Sequence, residues 1–135
     1  MIVKAMMKKK NNKKAFTLVE LIVVIAIIGV LMAILIPSMM GFVTQAETAT
    51  ANANARTVYS AAAAQGALMK TQGTAVTGVQ TSADASAFVT AMKDLLGADF
   101  TADGATWSVT MANNIPTAAT WVHGTMNGAY PVVKP

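Results

Sequence analysis

Few residues in this chain are of a type that does chemistry, and their spacing narrows the options further. Cysteine is absent, which removes disulfides, lipidated cysteines and thiolate metal sites. His123 is the single histidine, so neither a histidine-based metal site nor a catalytic triad can be assembled; beside Val122 it reads as a strand residue. No nucleophile–base pair and no phosphate-binding loop is found. Asp94, Asp99 and Asp103 are loosely spaced, and "DFTADGAT" forms an oxygen-rich stretch, whereas a calcium ion takes about six to eight oxygen ligands. Solvated acids at a helix end and a turn are the simpler reading, and no metal or cofactor is expected. The ten methionines read as packing and anchor material. That leaves Glu20, a carboxylate near the start of an apolar run, four residues after Phe16, with no cation immediately downstream. At the centre of a membrane helix such a group costs about 2.5–3.5 kcal/mol on insertion scales, and less near an end.

The element that positions Glu20 is unmistakable in the pattern. From Leu21 to Ile36 every residue is apolar or glycine; Phe16, Leu18 and Val19 extend the run upstream, and Met39, Met40, Phe42 and Val43 extend it downstream. As a helix, residues 16–43 would be ~42 Å long at a rise of about 1.5 Å per residue, more than the ~30 Å hydrocarbon core of a bilayer. A cleaved secretory signal has an apolar core of only about 7–15 residues. A signal anchor accounts for the length and for the lysines before it, but not for Glu20.

The charges fall in two blocks. Lys4, Lys8, Lys9, Lys10, Lys13 and Lys14 supply six of the ten positive charges, all before Phe16. The remainder carries Arg56, Lys70, Lys93 and Lys134 against six carboxylates and is mildly acidic. The overall excess of +4 is therefore an N-terminal flank of the kind that stays cytoplasmic, not a basic face for nucleic acid.

The stretch Lys13-Lys14-Ala15-Phe16-Thr17-Leu18-Val19-Glu20 resembles the processing site of type IV prepilins and pseudopilins. That family has a basic leader, a small residue before the cut, an aromatic after it and a glutamate at the fifth mature position. Here these are the block before Ala15, then Ala15, Phe16 and Glu20. Alanine in place of the commoner glycine is a departure from the pattern. Gly29 and Pro37 also fall where many members carry them. The resemblance covers about residues 1–43 and implies cleavage between Ala15 and Phe16 by the prepilin peptidase, N-methylation of Phe16, and transfer of the apolar helix from the inner membrane into a filament core. The partners it implies are the peptidase, the membrane before assembly, the pilus or secretion assembly machinery, and other copies of the chain.

On that reading the cut exposes an α-amine on Phe16, largely protonated at neutral pH, one helical turn from Glu20. Each charge alone in an apolar filament core would be costly, and pairing offsets part of that cost. The amine could be the subunit's own or a neighbour's; the family favours the neighbour. Gly29 and Pro37 mark the weakest part of the helix, which in family filaments tends to be extended. Alternatively, Gly29 permits close helix packing and Pro37 bends the helix at the membrane edge. Both readings stand at this point.

Downstream, the alanine-rich residues 44–70 predict a continuation of the helix as the spine of a head, with Ala46, Ala49, Ala53, Val58, Ala61 and Ala62 as the covered stripe. Residues 71–82 read as a polar connector. A short helix follows, capped by Ser82 or Asp84, presenting Phe88, Met92, Leu95 and Leu96 on one face and ended by Gly97. "ATWSVTMA", "AATWVHG" and "AYPVVKP" alternate as strands, with turns at Asn113-Asn114 and Asn127-Gly128. The expected fold class is α+β, a pilin fold: a long N-terminal helix with a small C-terminal antiparallel sheet packed on its second half. The segments are a leader (1–15), an apolar helix (16–43), a spine (44–70) and the rest of the head (71–135). Three functions remain open: a type IV pilus subunit, a pseudopilin of a type II secretion or DNA-uptake system, and a signal-anchored extracytoplasmic binding domain.

Overall fold

The structure, a computed structural model, describes residues 16–131. Its contacts divide the chain into two units, Met1–Met40 and Gly41–Pro135. Helix α1 (Leu18–Thr71) contributes to both. It is followed by β1 (Gly78–Thr81), α2 (Ala87–Leu96), a 3-10 segment (Ala98–Gly104), β2 (Thr106–Ala112), β3 (Ile115–His123) and β4 (Met126–Tyr130). The α+β layout with a small antiparallel sheet packed on the spine is as expected.

In the first unit the apolar side chains of α1 are exposed, from Leu18 at 74% to Met40 at 67%. That part of the helix is long and apolar enough to cross a membrane.

In the second unit the strands form an antiparallel meander in the order β1-β2-β3-β4. Its inner face carries Trp107, Val109 and Met111 from β2 and Ala119 and Trp121 from β3. Trp107 stands directly opposite Trp121 across the ladder, so both indoles fill one layer of the core. These large side chains meet small ones. The buried stripe of α1 is Ala51, Ala55, Val58, Ala62, Gln65 and Met69, in steps of four and three that keep one helical face under the sheet. Ala61 is buried beside it.

Half of the anticipated stripe is therefore displaced. Val58, Ala61 and Ala62 are covered, but Ala46, Ala49 and Ala53 are exposed. Cover begins where β4 reaches the helix: a Cβ on Gly128 would collide with the backbone of Ala51 and Asn52. Residues 46 and 49 precede that point, and residue 53 is about 200° around the helix from Ala51. A second close approach occurs at Gly66, where a Cβ would strike the carbonyl of Asn114.

The turns account for the other differences. Asn113 and Asn114, at φ 49° and 67°, form the two-residue β2–β3 turn in the left-handed region that asparagine tolerates. Asn114 also stitches this turn to the connector: its Nδ2 donates to the Thr74 carbonyl (2.8 Å) and its backbone N–H to Val76 (3.0 Å). The residues read as a plain connector include β1, whose four residues pair with β2 from Gly78↔Met111 to Thr81↔Ser108. Ser82 and Asp84 do not cap α2. The Ser82 hydroxyl accepts from Trp107 N–H (3.3 Å) and the Asp84 carboxylate from Thr81 N–H (2.7 Å), so both close the turn after β1. Ser86 is the cap, accepting from Val89 N–H at 3.2 Å. Gly97 ends α2 as expected. Its buried face is Phe88, Val89 and Met92, with Leu96 half-buried, whereas Leu95 points to solvent.

Pro116 lies inside β3 opposite Met111, beside a register shift at Thr110/Met111 that absorbs the missing donor. Asn127 and Gly128 are not a turn; they pair with Val122 and Trp121 within β4, and the β3–β4 turn is at Gly124-Thr125. Of the anticipated last strand only Ala129 and Tyr130 belong to β4, and 132–135 lie outside the described residues. In place of a disulfide, the end of the head is held on the spine. Ala129 N–H donates to Asn52 Oδ1 (3.0 Å), Tyr130 packs edge-on to Tyr59 (centroids 4.9 Å apart), and the Arg56 guanidinium lies 5.8 Å from the Tyr130 ring centre.

Gly128→Ala should destabilise the head by roughly 1–3 kcal/mol or more, because the sheet must lift from the helix to admit one methyl group. Gly41→Ala, where a Cβ would meet nothing within 4 Å, should leave the melting temperature unchanged or raise it. Thermal unfolding of both variants in non-ionic detergent, followed by near-ultraviolet circular dichroism of the tryptophans, checks the pair.

Candidate functional site

The residues singled out in the sequence lie along the first unit, and the structure brings one pair of functional groups together there. Phe16 and Thr17 precede the helix, and Phe16 is 84% exposed. Ala15 and the basic block Lys4–Lys14 lie outside the described residues.

Helix α1 starts at Leu18 because Thr17 and Glu20 cap each other. The Glu20 N–H donates to Thr17 Oγ1 (3.3 Å), and Glu20 Oε2 accepts from both the Thr17 backbone N–H (2.9 Å) and its hydroxyl (2.8 Å). This is a reciprocal capping box, in which a Thr and a Glu three residues later satisfy donors that the first turn leaves orphaned. The carboxylate also sits at the positive end of the helix dipole. Both bonds to the carboxylate use Oε2, and Oε1 accepts nothing among the described residues. Thr17 was missed as a site residue. The signal was present: "TLVE" before an apolar run is the Thr-x-x-Glu signature of a helix start.

Gly29 and Pro37 are both inside continuous helix. Pro37 has no N–H to offer the Ala33 carbonyl, so the helix lacks one rung at that turn. Beside it, Ser38 Oγ donates to the Leu35 carbonyl at 2.9 Å. A Cβ on Gly29 would meet nothing within 4 Å, so no contact among the described residues requires glycine there.

Among the described residues no group of three or more His, Cys, Asp or Glu side chains is placed to hold a metal ion. The structure brings His123 to Asp103, but through the backbone: the imidazole Nε2 lies 3.1 Å from the Asp103 carbonyl oxygen.

In the sequence a basic flank precedes Phe16, and the structure adds a non-helical Phe16, a capped helix start and an apolar helix long enough to span a bilayer. Residues 10–36 match the family model of the prokaryotic N-terminal methylation motif. The chain carries a type IV prepilin-type leader signature. No curated protein and no solved structure gives a significant match to the chain. The motif is that of structural pilin-type proteins, and it implies processing by a prepilin peptidase and assembly into pilus-like filaments. The apolar part of α1 suits a single-pass inner-membrane precursor.

Removing the cap hydroxyl should loosen this helix start without touching the rest. Thr17→Ala should cost about 1 kcal/mol in the first turn, so that amides 18–21 exchange roughly fivefold faster in detergent, while Thr17→Ser restores protection. Amide hydrogen exchange read residue by residue checks this.

Proposed function

We propose that the protein is a non-enzymatic structural subunit of a type IV pilus. The peptidase cuts after Ala15, the new Phe16 amine is methylated, and the subunit leaves the inner membrane to enter a surface filament through its apolar helix. Residues 1–15 are the leader, 16–43 the membrane and filament-core helix, 44–70 the spine, and 71–135 the rest of the head. The observation that carries the reading is the match of residues 10–36 to the methylation motif. The exposed apolar face of α1 supports it, because that face needs lipid or other copies of itself around it.

Phe16 and Glu20 have one role in common. The methylated amine of one subunit meets the Glu20 carboxylate of its neighbour as the helix leaves the bilayer, and the pairing sets axial register. Oε1, which the cap does not use, is the oxygen available to that amine. Gly29 and Pro37 let the helix extend between them when subunits pack, since a missing rung and a glycine lower the cost of opening those turns.

The mature chain should begin at Phe16, with the mass of one methyl group added, by N-terminal sequencing and mass spectrometry. A mature chain that still starts at Met1, or starts near residue 50, would remove the filament reading. Both Glu20→Ala and Glu20→Gln should be cleaved normally yet yield few or no filaments. Stripping one partner from a buried charge pair costs about 3–5 kcal/mol per contact. Glutamine is the decisive variant because it retains the capping box, so normal filaments from it would show that Glu20 serves only its own helix. Electron microscopy of the envelope separates long surface pili from short structures confined to it, and the latter would place the chain with the pseudopilins.

A further inference from the structure

One cleft in the second unit has no part in the filament reading. Its volume is about 380 Å³, and Asn54, Leu96, Phe100, Asp103, Trp121 and His123 line it. Several features there favour positive charge. Asp103 is exposed, and its carboxylate has no hydrogen bond or ion pair among the described residues. Helix α2 ends at Leu96, so the partially negative C-terminal end of a helix borders the cleft. Three aromatic rings are grouped there: Phe100 and Trp121 are edge-to-face at 6.3 Å, and Trp121 and His123 lie 5.8 Å apart. Aromatic faces attract cations. The Asp103 carbonyl can only accept, so His123 Nε2 carries a hydrogen in that bond, and in the neutral ring Nδ1 is then an acceptor.

Among the described residues no lysine or arginine lines the cleft, so a bound anion would meet no charged partner there; the Trp121 Nε1 N–H, buried without a hydrogen-bond partner, is a neutral donor. A bare divalent ion such as calcium needs about six or more oxygens, whereas among the described residues the side chains of the lining offer one carboxylate and the Asn54 amide. The volume and the apolar walls from Leu96 and Phe100 accommodate a hydrocarbon body as well as a charge. The acid is held in place by an unusual backbone: Asp103 has φ 57°, Gly104 follows at φ 81°, and the His123 bond ties this turn to β3.

We propose that this cleft binds an ammonium group carried on a short alkyl chain. The group belongs either to a small free amine or to a lysine side chain of a second copy. The test uses the full ¹⁵N-labelled chain in non-ionic detergent, titrated with n-butylammonium chloride and, in parallel, with n-butanol and sodium chloride. The indole N–H signal of Trp121 should shift saturably with butylammonium alone, and that of Trp107, which does not line the cleft, should shift less. Asp103→Asn, which the left-handed backbone tolerates, should weaken the apparent affinity about fivefold or more. Asp94→Asn, on the exposed side of α2, should leave it unchanged. An equal response to butanol, an unaltered affinity in Asp103→Asn, or saturable binding of glucose with none of butylammonium would overturn the proposal. Carbodiimide coupling of concentrated protein separates the two sources. An Asp103–lysine cross-link between copies assigns the lysine, and its absence alongside butylammonium binding assigns a free amine.

Discussion

An apolar helical surface that no other described residue covers is the constraint behind everything in the first unit. From Phe16 to Val43 the large side chains stand in the open. A helix is one of the few structures that can carry them out of water, because it satisfies its backbone internally and needs nothing polar from its surroundings. The three polar residues of that stretch are each tied down within a turn. Thr17 and Glu20 bond to each other, and Ser38 bonds back to Leu35. Lipid tails and the helices of other copies are equivalent solvents for such a surface, and on the proposed function this equivalence would let one segment serve first as an anchor and then as a filament core.

The second half of α1 solves the opposite problem, since it must be covered by its own chain. It does so with small residues. Alanines at 51, 55 and 62 and glycine at 66 bring the helix backbone close to the sheet, and Gly128 does the same from the other side. Bulk comes from the sheet and α2 in the form of Trp107, Trp121, Met111, Phe88 and Met92. The threonines of the spine use their hydroxyls on their own backbone, as in Thr50 to Ala46 and Thr57 to Ala53, so they add no unmet polar group to its surface. A head with no cysteine can then close its C-terminal end through Asn52, Tyr59 and Arg56, all presented by the helix.

The legible and illegible parts of the fold follow from this division. The apolar helix, its continuation to the end of the alanine run, and the alternation of Trp107, Val109 and Met111 are local patterns, and local patterns survive folding. The covered stripe of the spine was readable only in its second half, at Val58, Ala61 and Ala62. In a segment that is alanine on nearly every side, propensity marks no face, and only the landing point of Gly128 decides between Ala49 and Ala51. Likewise, Ser82, Asp84 and Ser86 are all competent caps, and the choice went to Ser86 because β1 claimed the first two for its own turn. Asn127-Gly128 looked like a turn because glycine usually signals one. Here it signals a strand pressed against helix backbone. At the N-terminal site the Glu20 position and its spacing from Phe16 were evident, whereas the Thr17 partnership was hidden behind the more conspicuous question of a cation.

That partnership sharpens the question about Glu20. A capping box explains why an acceptor side chain stands three residues after Thr17, but it does not explain why that acceptor is charged. Glutamine closes the same box, and in an apolar medium a neutral amide is far cheaper to bury than a carboxylate. The helix dipole favours the charge by at most about 1–2 kcal/mol, less than the penalty for taking an unpaired carboxylate deep into hydrocarbon. The cap therefore accounts for the position of Glu20 and leaves its charge over. On the proposed function, a charge left over at the mouth of an apolar helix, one turn from the backbone nitrogen that a cut after Ala15 would turn into an ammonium group, would have a partner of opposite sign and matching depth. In the uncut chain that nitrogen is a neutral amide. The carboxylate keeps its helix start in order with one oxygen, and on the proposed function the other oxygen would meet a cation that only processing supplies.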